Sequence, residues 1–540
     1  MKKQKQQARQ WLPLVLGVSL GACLTGCGLT PEPLSREERS QAIADDKAVL
    51  FDKQEPLSGA LTLYQAMARA LKYNLDHRVK MMERAVSEGQ STIARFDLLP
   101  ELMASAGYRG RDNFNASSSR SIQTGRQSLV TSTSQDRTRY LGDLVFRWNI
   151  LDFGVSYFRA QQDGNKALIA EENRRKVSHN LMQDVRSAYW RAVGAQQMES
   201  VVRPVLEEAR GALQNARAAQ KEGLQAPLES LRYQKSLVEI VRKLEGVQEQ
   251  LKLARSELMR LVNLPPGQEF TLAVPAGEQA FATPKLELPM AQMENLALQM
   301  RPELREEMYQ TRIGTAEVHK AMLRLLPGVE VNIGGHYDSN SYLLNQHFGE
   351  LGTQIAKNVF EILSAPQAIS NAETQKALAD SRRLAAHMAI LTQVHLAQEQ
   401  LDMASQQYAR AVELDDLNQQ INRHLVNSAD NQASSPMERI RASVDAVFTL
   451  LQRYQSYSDV QAALGKVYVS LGFDPLPDTI QSHDINALAQ ALAEVDQDWS
   501  KGLFPQPTDT ANQTELPDVG KVQEDNDWLS GLMDGLASAL

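Results

Sequence analysis

Cys27 is the residue whose neighbours point most directly to covalent chemistry. It closes the tetrad Leu24-Thr25-Gly26-Cys27, behind a basic start (Lys2, Lys3, Lys5, Arg9) and an apolar run over 11–24. That run is too short to cross a bilayer as a helix and reads as a signal segment. Small residues before a cysteine admit a signal peptidase, and the sulfur then takes a diacylglycerol. The tetrad thus predicts removal of 1–26, loss of Cys23 with it, and a covalent lipid on Cys27. An ordinary signal peptide with a chance cysteine is the alternative. Gly28 follows, where an aspartate would signal inner-membrane retention, so sorting to the outer membrane is expected.

A second set of residues recurs. Ala226-Pro227-Leu228-Glu229-Ser230-Leu231-Arg232 is echoed 209 positions later by Ser435-Pro436-Met437-Glu438-Arg439-Ile440-Arg441. Pro227 and Pro436 suit a first helical position, where the missing N–H costs nothing. Glu229 and Glu438 fall in the first turn, where the helix dipole favours anions. Arg232 and Arg441 lie three residues on, within pairing reach. Two readings stand: a helix start with an intrahelical pair, or a ring of charge around an opening.

Little else suggests bond chemistry, and no enzyme activity is expected. Beyond Cys27 the mature chain has no cysteine, hence no disulfide or thiolate-bound metal. The nine histidines show neither H-x-x-x-H nor H-E-x-x-H spacing. His336 and His347 are close enough in sequence to meet at a strand pair, with exposed polar positions as the plainer reading. Phosphate-loop, nucleophile-elbow and dinucleotide motifs are missing too, and no cofactor beyond the lipid is expected. Subtracting the four basic leader residues from 57 leaves 53 against 65 acidic ones, a net charge of −12. That balance argues against a nucleic-acid partner.

The elements that must position these residues come in duplicate. Asn74 precedes Leu98-Leu99-Pro100 as Arg301-Pro302 precedes Leu325-Leu326-Pro327, at an offset of 227. Trp148-Asn149-Ile150-Leu151-Asp152 matches Lys357-Asn358-Val359-Phe360-Glu361 at 209, the offset of the Pro-containing turns. Each half reads helix, two strands, long helix, turn, long helix. Tyr140, Gly142, Leu144, Phe146 and Trp148 alternate with Leu141, Asp143, Val145, Arg147 and Asn149. This period of two fits a barrel strand with lipid outside and water inside, and equally a half-buried soluble sheet. Strands at 102–111 and 351–359 alternate less clearly. The polar stretch 112–137 reads as an exposed loop. Leu237, Leu244, Leu251 and Leu258, with Ile240, Val247, Ala254 and Leu261, form heptad seams. Leu181, Val185, Ala188, Ala192 and Ala195 form a stripe of mostly small residues on the preceding helix. A helix of about 65 residues would reach about 100 Å.

With these motifs in order, the sequence resembles the outer membrane efflux protein family, the TolC-like channels, over 61–471. Ala70-Leu71 with Asn74, Leu98-Leu99-Pro100, Trp148 to Gly154, Ala188-Tyr189 and Gly223 carry the resemblance. It implies a mainly α fold with β. Long antiparallel coiled-coil helices would form a periplasmic helical barrel, and four strands per subunit a trimeric twelve-stranded outer-membrane β-barrel. The expected division is a signal peptide at 1–26 and a lipid-anchored linker at 27–57. A first repeat spans 58–284, with strands within 102–149 and a tip near 223. A second spans 285–474, with strands within 328–359 and a tip near 427–436. A partly disordered tail covers 475–540.

The resemblance further implies a homotrimer in outer-membrane lipid, a periplasmic adaptor, and an inner-membrane pump or ABC transporter. By register, Glu438 and Arg441 fall at the family's gating positions, with Asp430, Asp445, Glu229 and Arg232 as further gate candidates. Gly223, Leu224, Pro227 and Pro436 are the adaptor-docking candidates. The second tip lacks a glycine, a departure from the family's pattern. A pore-less periplasmic lipoprotein adaptor or scaffold is the rival reading; it would carry compact β-domains around one hairpin, not a strand pair before each of two.

Overall fold

The computed structural model describes residues 33–504 except 53, 58, 223–225, 275–280, 285, 287, 431–435, 476–481 and 483. For 426, 428–430 and 436 it describes the backbone alone. Cys27, Gly223 and Leu224 lie outside the described residues, and Asp430 and Pro436 are described only as backbone. The chain divides into Met1–Pro56 and Leu57–Leu540. In the first unit, within the expected linker, α1 (Arg36–Val49) starts on a capping box between Ser35 and Glu38 and buries none of its residues.

The second unit runs twice through one order of elements. Helices α2 (Leu63–Tyr73) and α3 (Leu75–Phe96) are parted by Asn74, whose extended backbone ends one helix while its side chain caps the next. Then come β1 (Glu101–Gly110), the short β2 (Ala116–Ser117) and β3 (Ser132–Thr133), β4 (Thr138–Asn149), α4 (Ile150–Lys221) and α5 (Pro227–Leu261). The second half has α6 (Met290–Met300), α7 (Pro302–Leu323), β5 (Gly328–Asp338), β6 (His347–Ala356), α8 (Val359–Asp430) and α9 (Pro436–Leu471). A further helix, α10 (Ile485–Ser500), follows. Paired helices have 11 and 11, 22 and 22, 72 and 72, and 35 and 36 residues. The offset falls from 227 (63 and 290) to 209 (150 and 359) because the second half's loop, 339–346, is shorter than 111–137. At 1.5 Å per residue, each 72-residue helix is about 108 Å long.

The sheet order is β1-β4-β5-β6, antiparallel throughout, so β1 and β6 are its open edges. Its ladder sets strand ends that local alternation left imprecise: 101–110 instead of 102–111, and 347–356 instead of 351–359. Helix packing follows the heptads. Leu237, Leu244, Leu251 and Leu258 of α5 are buried, as are Val185, Ala188, Ala192 and Ala195 of α4. Each fully buried leucine contributes roughly 1.5–3 kcal/mol. Gly194 marks a close approach of α4 to α9, since a Cβ there would lie 2.9 Å from the Cβ of Tyr454.

The helix α10 was not legible as such within the tail. It packs on α2 through Leu488, Leu492 and Trp499, and Trp499 meets the rings of Tyr468 and Phe473 at 4.8 and 5.1 Å.

Candidate functional site

The four main strands separate their side chains by chemistry. On one face the rungs read Leu102–Phe146–Ile333–Leu351 and Ala104–Leu144–Gly335–Gly349, with Trp148–Val331–Thr353 beside them. Tyr108, Tyr140 and Tyr337 gather at the loop end of this face, with Tyr108 and Tyr140 5.4 Å apart. Trp148 lies eight residues along β4 from Tyr140 and meets Phe153 at 6.3 Å. Eight residues at about 3.3 Å span about 26 Å. An apolar band of roughly 25 Å between two aromatic rows is the pattern of a strand set facing lipid. Leu102, Leu351 and Ile355 are 66–72% exposed, as an apolar outer face requires.

The opposite face carries the charged groups, cross-linked, with Met103, Leu141, Val145 and Phe348 among them. His336 Nδ1 lies 2.7 Å from Asp143 Oδ1, and its Nε2 lies 3.6 Å from Glu350. The Ser105 hydroxyl donates to the other Asp143 oxygen at 3.0 Å. Nearer the helices, Arg147 approaches Glu330 at 3.3 Å and Glu101 at 3.9 Å. At the loop end Arg139 donates to Asp338 at 2.9 Å. His347 does not join His336: it pairs with Tyr337 on the apolar face, while His336 stacks on Phe348. Among the described residues, no group of three or more His, Cys, Asp or Glu is placed to hold a metal.

At the far ends of the long helices, Pro227 opens α5 and Pro436 opens α9. Glu229 and Glu438 lie in the first turns as anticipated. The anticipated i, i+3 pairs do not form: no ion pair joins Glu229 to Arg232 or Glu438 to Arg441 among the described residues. All four side chains are exposed, where such a pair gains only a few tenths of a kcal/mol. Glu438 has an interaction of its own, and Asp445 is exposed. The residue that sequence reasoning missed is Arg439, which reaches across to Glu208 of α4 at 2.8 Å. It links the second hairpin to the first. Deeper, Arg453 of α9 holds Asp415 of α8 at 3.0 Å.

A belt of buried charge lies where α2, α4, α9 and α10 meet. Arg186 of α4 donates to Asp496 of α10 at 2.5 Å, and Tyr64 of α2 donates to the same carboxylate at 2.8 Å. Burial pushes the hydroxyls of Tyr64 and Tyr468 well above the usual tyrosine range, so both remain neutral. Asp474 bonds His179 at 2.7 Å and Arg175 at 2.8 Å. Burial alone would raise its pKa; the hydrogen bond from His179 and the charge of Arg175 outweigh that and hold it well below the carboxylate range. Glu172, 2.6 Å from Arg175, is pushed up because desolvation outweighs its arginine partners. The cavity beside Arg186 holds about 40 Å³, too small for an organic substrate. This belt is structural.

Residues 66–264 match the family described as Outer membrane efflux protein. Solved structures agree over more of the chain. The Campylobacter jejuni CmeC outer membrane channel has a TM-score of 0.61 and 14% identity, over 84% of this chain and 94% of that one. The outer-membrane channel OprN gives 0.57 and 17%, over 76% and 89%. CusC gives 0.58 and 16%, over 83% and 100%. No curated protein matches the sequence significantly. The fold is shared with these outer-membrane channels, mostly helical with an antiparallel sheet.

Proposed function

We propose, from the premise that residues 66–264 are an outer membrane efflux protein domain, that the chain is one subunit of an export duct. The duct crosses the outer membrane through its strands and continues into the periplasm through its long helices. The two-faced sheet with open edges carries this reading. An apolar face of membrane height needs lipid, and unpaired strand edges are not tolerated in hydrocarbon. Edge β1 therefore pairs with β6 of the next copy until the ring closes. Three copies, the number the family resemblance implies, give twelve strands.

The helices offer matching edges. Leu75, Val79, Met82 and Val86 of α3 are 43–59% exposed beside an open groove of about 940 Å³. Leu384, Met388 and Leu396 of α8 are 54–65% exposed. Each apolar stripe buries against the other on a neighbouring copy.

The duct is passive. An inner-membrane pump or ABC transporter supplies energy through a periplasmic adaptor, which docks on the tips around Gly223, Leu224, Pro227 and Pro436. Glu438 and Arg441 close the mouth, with Asp430, Asp445, Glu229 and Arg232 near it, and Cys27 carries the lipid. Native mass spectrometry in mild detergent, followed by planar-bilayer recording, tests the duct: three chains and discrete conductance are expected. A stable folded monomer without conductance overturns it. Cys27→Ser should abolish acyl labelling while conductance persists; unchanged labelling would refute the anchor.

A further inference from the structure

The loop end of the sheet differs in charge from the rest of its polar face. Residues 109–139 contain six arginines, no lysine, no glutamate and two aspartates. Register sets Arg109 directly opposite Arg139, and the bond from Arg111 N–H to Arg137 O, at 2.8 Å, continues the ladder with two more arginines. Like charges directly opposite destabilise a strand pair. Arg139 is buried and neutralised by Asp338, and Arg137 sits over the Phe114 ring at 5.0 Å. Arg109 and Arg111 are exposed and have no ion pair among the described residues. Of the nearby acids, Asp338 is committed to Arg139 and Asp136 accepts from the Ser341 amide and hydroxyl. Asp112 is the remaining one. Deeper on the face the sign reverses, with Glu101, Asp143, Glu330 and Glu350 against Arg147.

We propose that this outer mouth is a binding site for phosphate-rich polyanions, with Arg109 and Arg111 as its principal contacts. Guanidinium groups match phosphate oxygens in bidentate geometry. An anion held between Arg109 and Arg111 lowers the repulsion between these two exposed guanidinium groups. Several guanidinium groups per subunit, repeated around the ring, select multiply charged ligands over single carboxylates. The site rests on the duct reading, in which the polar face lines the lumen and the loop end opens outward. The phosphates could be soluble or lipid-borne, as in a phosphorylated outer-leaflet glycolipid.

The test uses the full-length assembled protein. Tripolyphosphate binding is measured by titration calorimetry in zwitterionic detergent, a readout independent of conductance. The paired change Arg109→Gln with Arg111→Gln should weaken it about tenfold or more, the loss expected for charge-assisted contacts. In planar bilayers of zwitterionic lipid, tripolyphosphate should block from the loop side and not from the tip side. Copurification of phosphorylated lipopolysaccharide, lost in the same variant, would assign a lipid source. Binding unchanged by the variant, or absent, overturns the site. Binding lost in the variant without any conductance upholds the site and counts against the duct.

Discussion

The belt around Arg186 and the hairpin tips are both rich in charge, and they handle it in opposite ways. In the belt, the Arg186 and Arg175 side chains are 7% and 8% exposed, and each has its counter-ion within 2.8 Å. At the tips, Glu229, Arg232 and Arg441 stand exposed, and the tie between hairpins is the half-exposed pair Arg439–Glu208. Buried charge tolerates no loosening, because a lost partner leaves an ion without water. Exposed charge changes partners at little cost. The contrast makes the belt a fixed collar, and it is one ground for proposing the gate at the tips instead.

The collar should break most severely at Asp496. Asp496→Ala leaves the Arg186 guanidinium buried without its carboxylate and also strips Tyr64 of its acceptor. A loss of about 3–5 kcal/mol is expected for a broken buried pair. Denaturant unfolding of the assembled protein measures it. Replacing both members, Arg186→Met with Asp496→Leu, should recover most of the loss; no recovery would mean that α10 is held by its apolar contacts instead. Gly194→Val tests the same collar through packing. Its Cβ would meet the Tyr454 Cβ at 2.9 Å, and overpacking of this kind costs about 1–3 kcal/mol. An unchanged midpoint would show that α4 and α9 separate freely there.

Acid should sharpen the contrast. The Asp474 carboxyl is held below its unfolded value, so its stabilisation is complete above the unfolded carboxylate range, near pH 3.9. That stabilisation declines as pH falls through the depressed folded value. Asp474→Asn should therefore destabilise at neutral pH and converge with the parent protein as pH drops below about 3.9. The side chain is 43% exposed, so solvent screening limits the neutral-pH difference to about 1 kcal/mol or less. A difference that stays constant through the acid limb would remove the titration from the account.

The tips were more legible in sequence than the collar. Repeats, heptads and proline at a helix start are local patterns, and they located two strand pairs and two hairpins. The face of β4 from Tyr140 to Trp148 was also visible in its alternation. Arg186 and Asp496 stand 310 residues apart and Arg175 and Asp474 299 apart, so no local period connects them. Register between β5 and β6 decided that His336 and His347 face opposite ways, and an eleven-residue spacing alone leaves that open. The Glu229–Arg232 and Glu438–Arg441 spacings permitted pairs that do not form among the described residues, although the exposed Arg410 and Glu413 do pair at 3.0 Å. Arg439 looked like one more surface cation until the hairpins were brought side by side.

The smallest stability effect belongs to the residues proposed to matter most for opening. Glu438 and Arg441 are exposed in the first turns of α9 and do not pair with each other among the described residues. Glu438→Ala combined with Arg441→Ala should thus shift unfolding by no more than about 0.5 kcal/mol. If three copies of this turn constrict the mouth, removing six charges should still raise single-channel conductance markedly, with the trimer intact by native mass spectrometry. Arg439→Ala supplies the companion measurement, because it frees the second hairpin from Glu208 without touching the ring. A rise in both variants places the constriction at Glu438 and Arg441 and its restraint in the Arg439 pair. A rise only in Arg439→Ala makes hairpin separation the barrier and moves the constriction to Asp430 or Asp445. Conductance equal to that of the parent channel in both variants would mean that the exposed tip charges are solvated ends of helices, and the contrast with the collar would then concern stability alone.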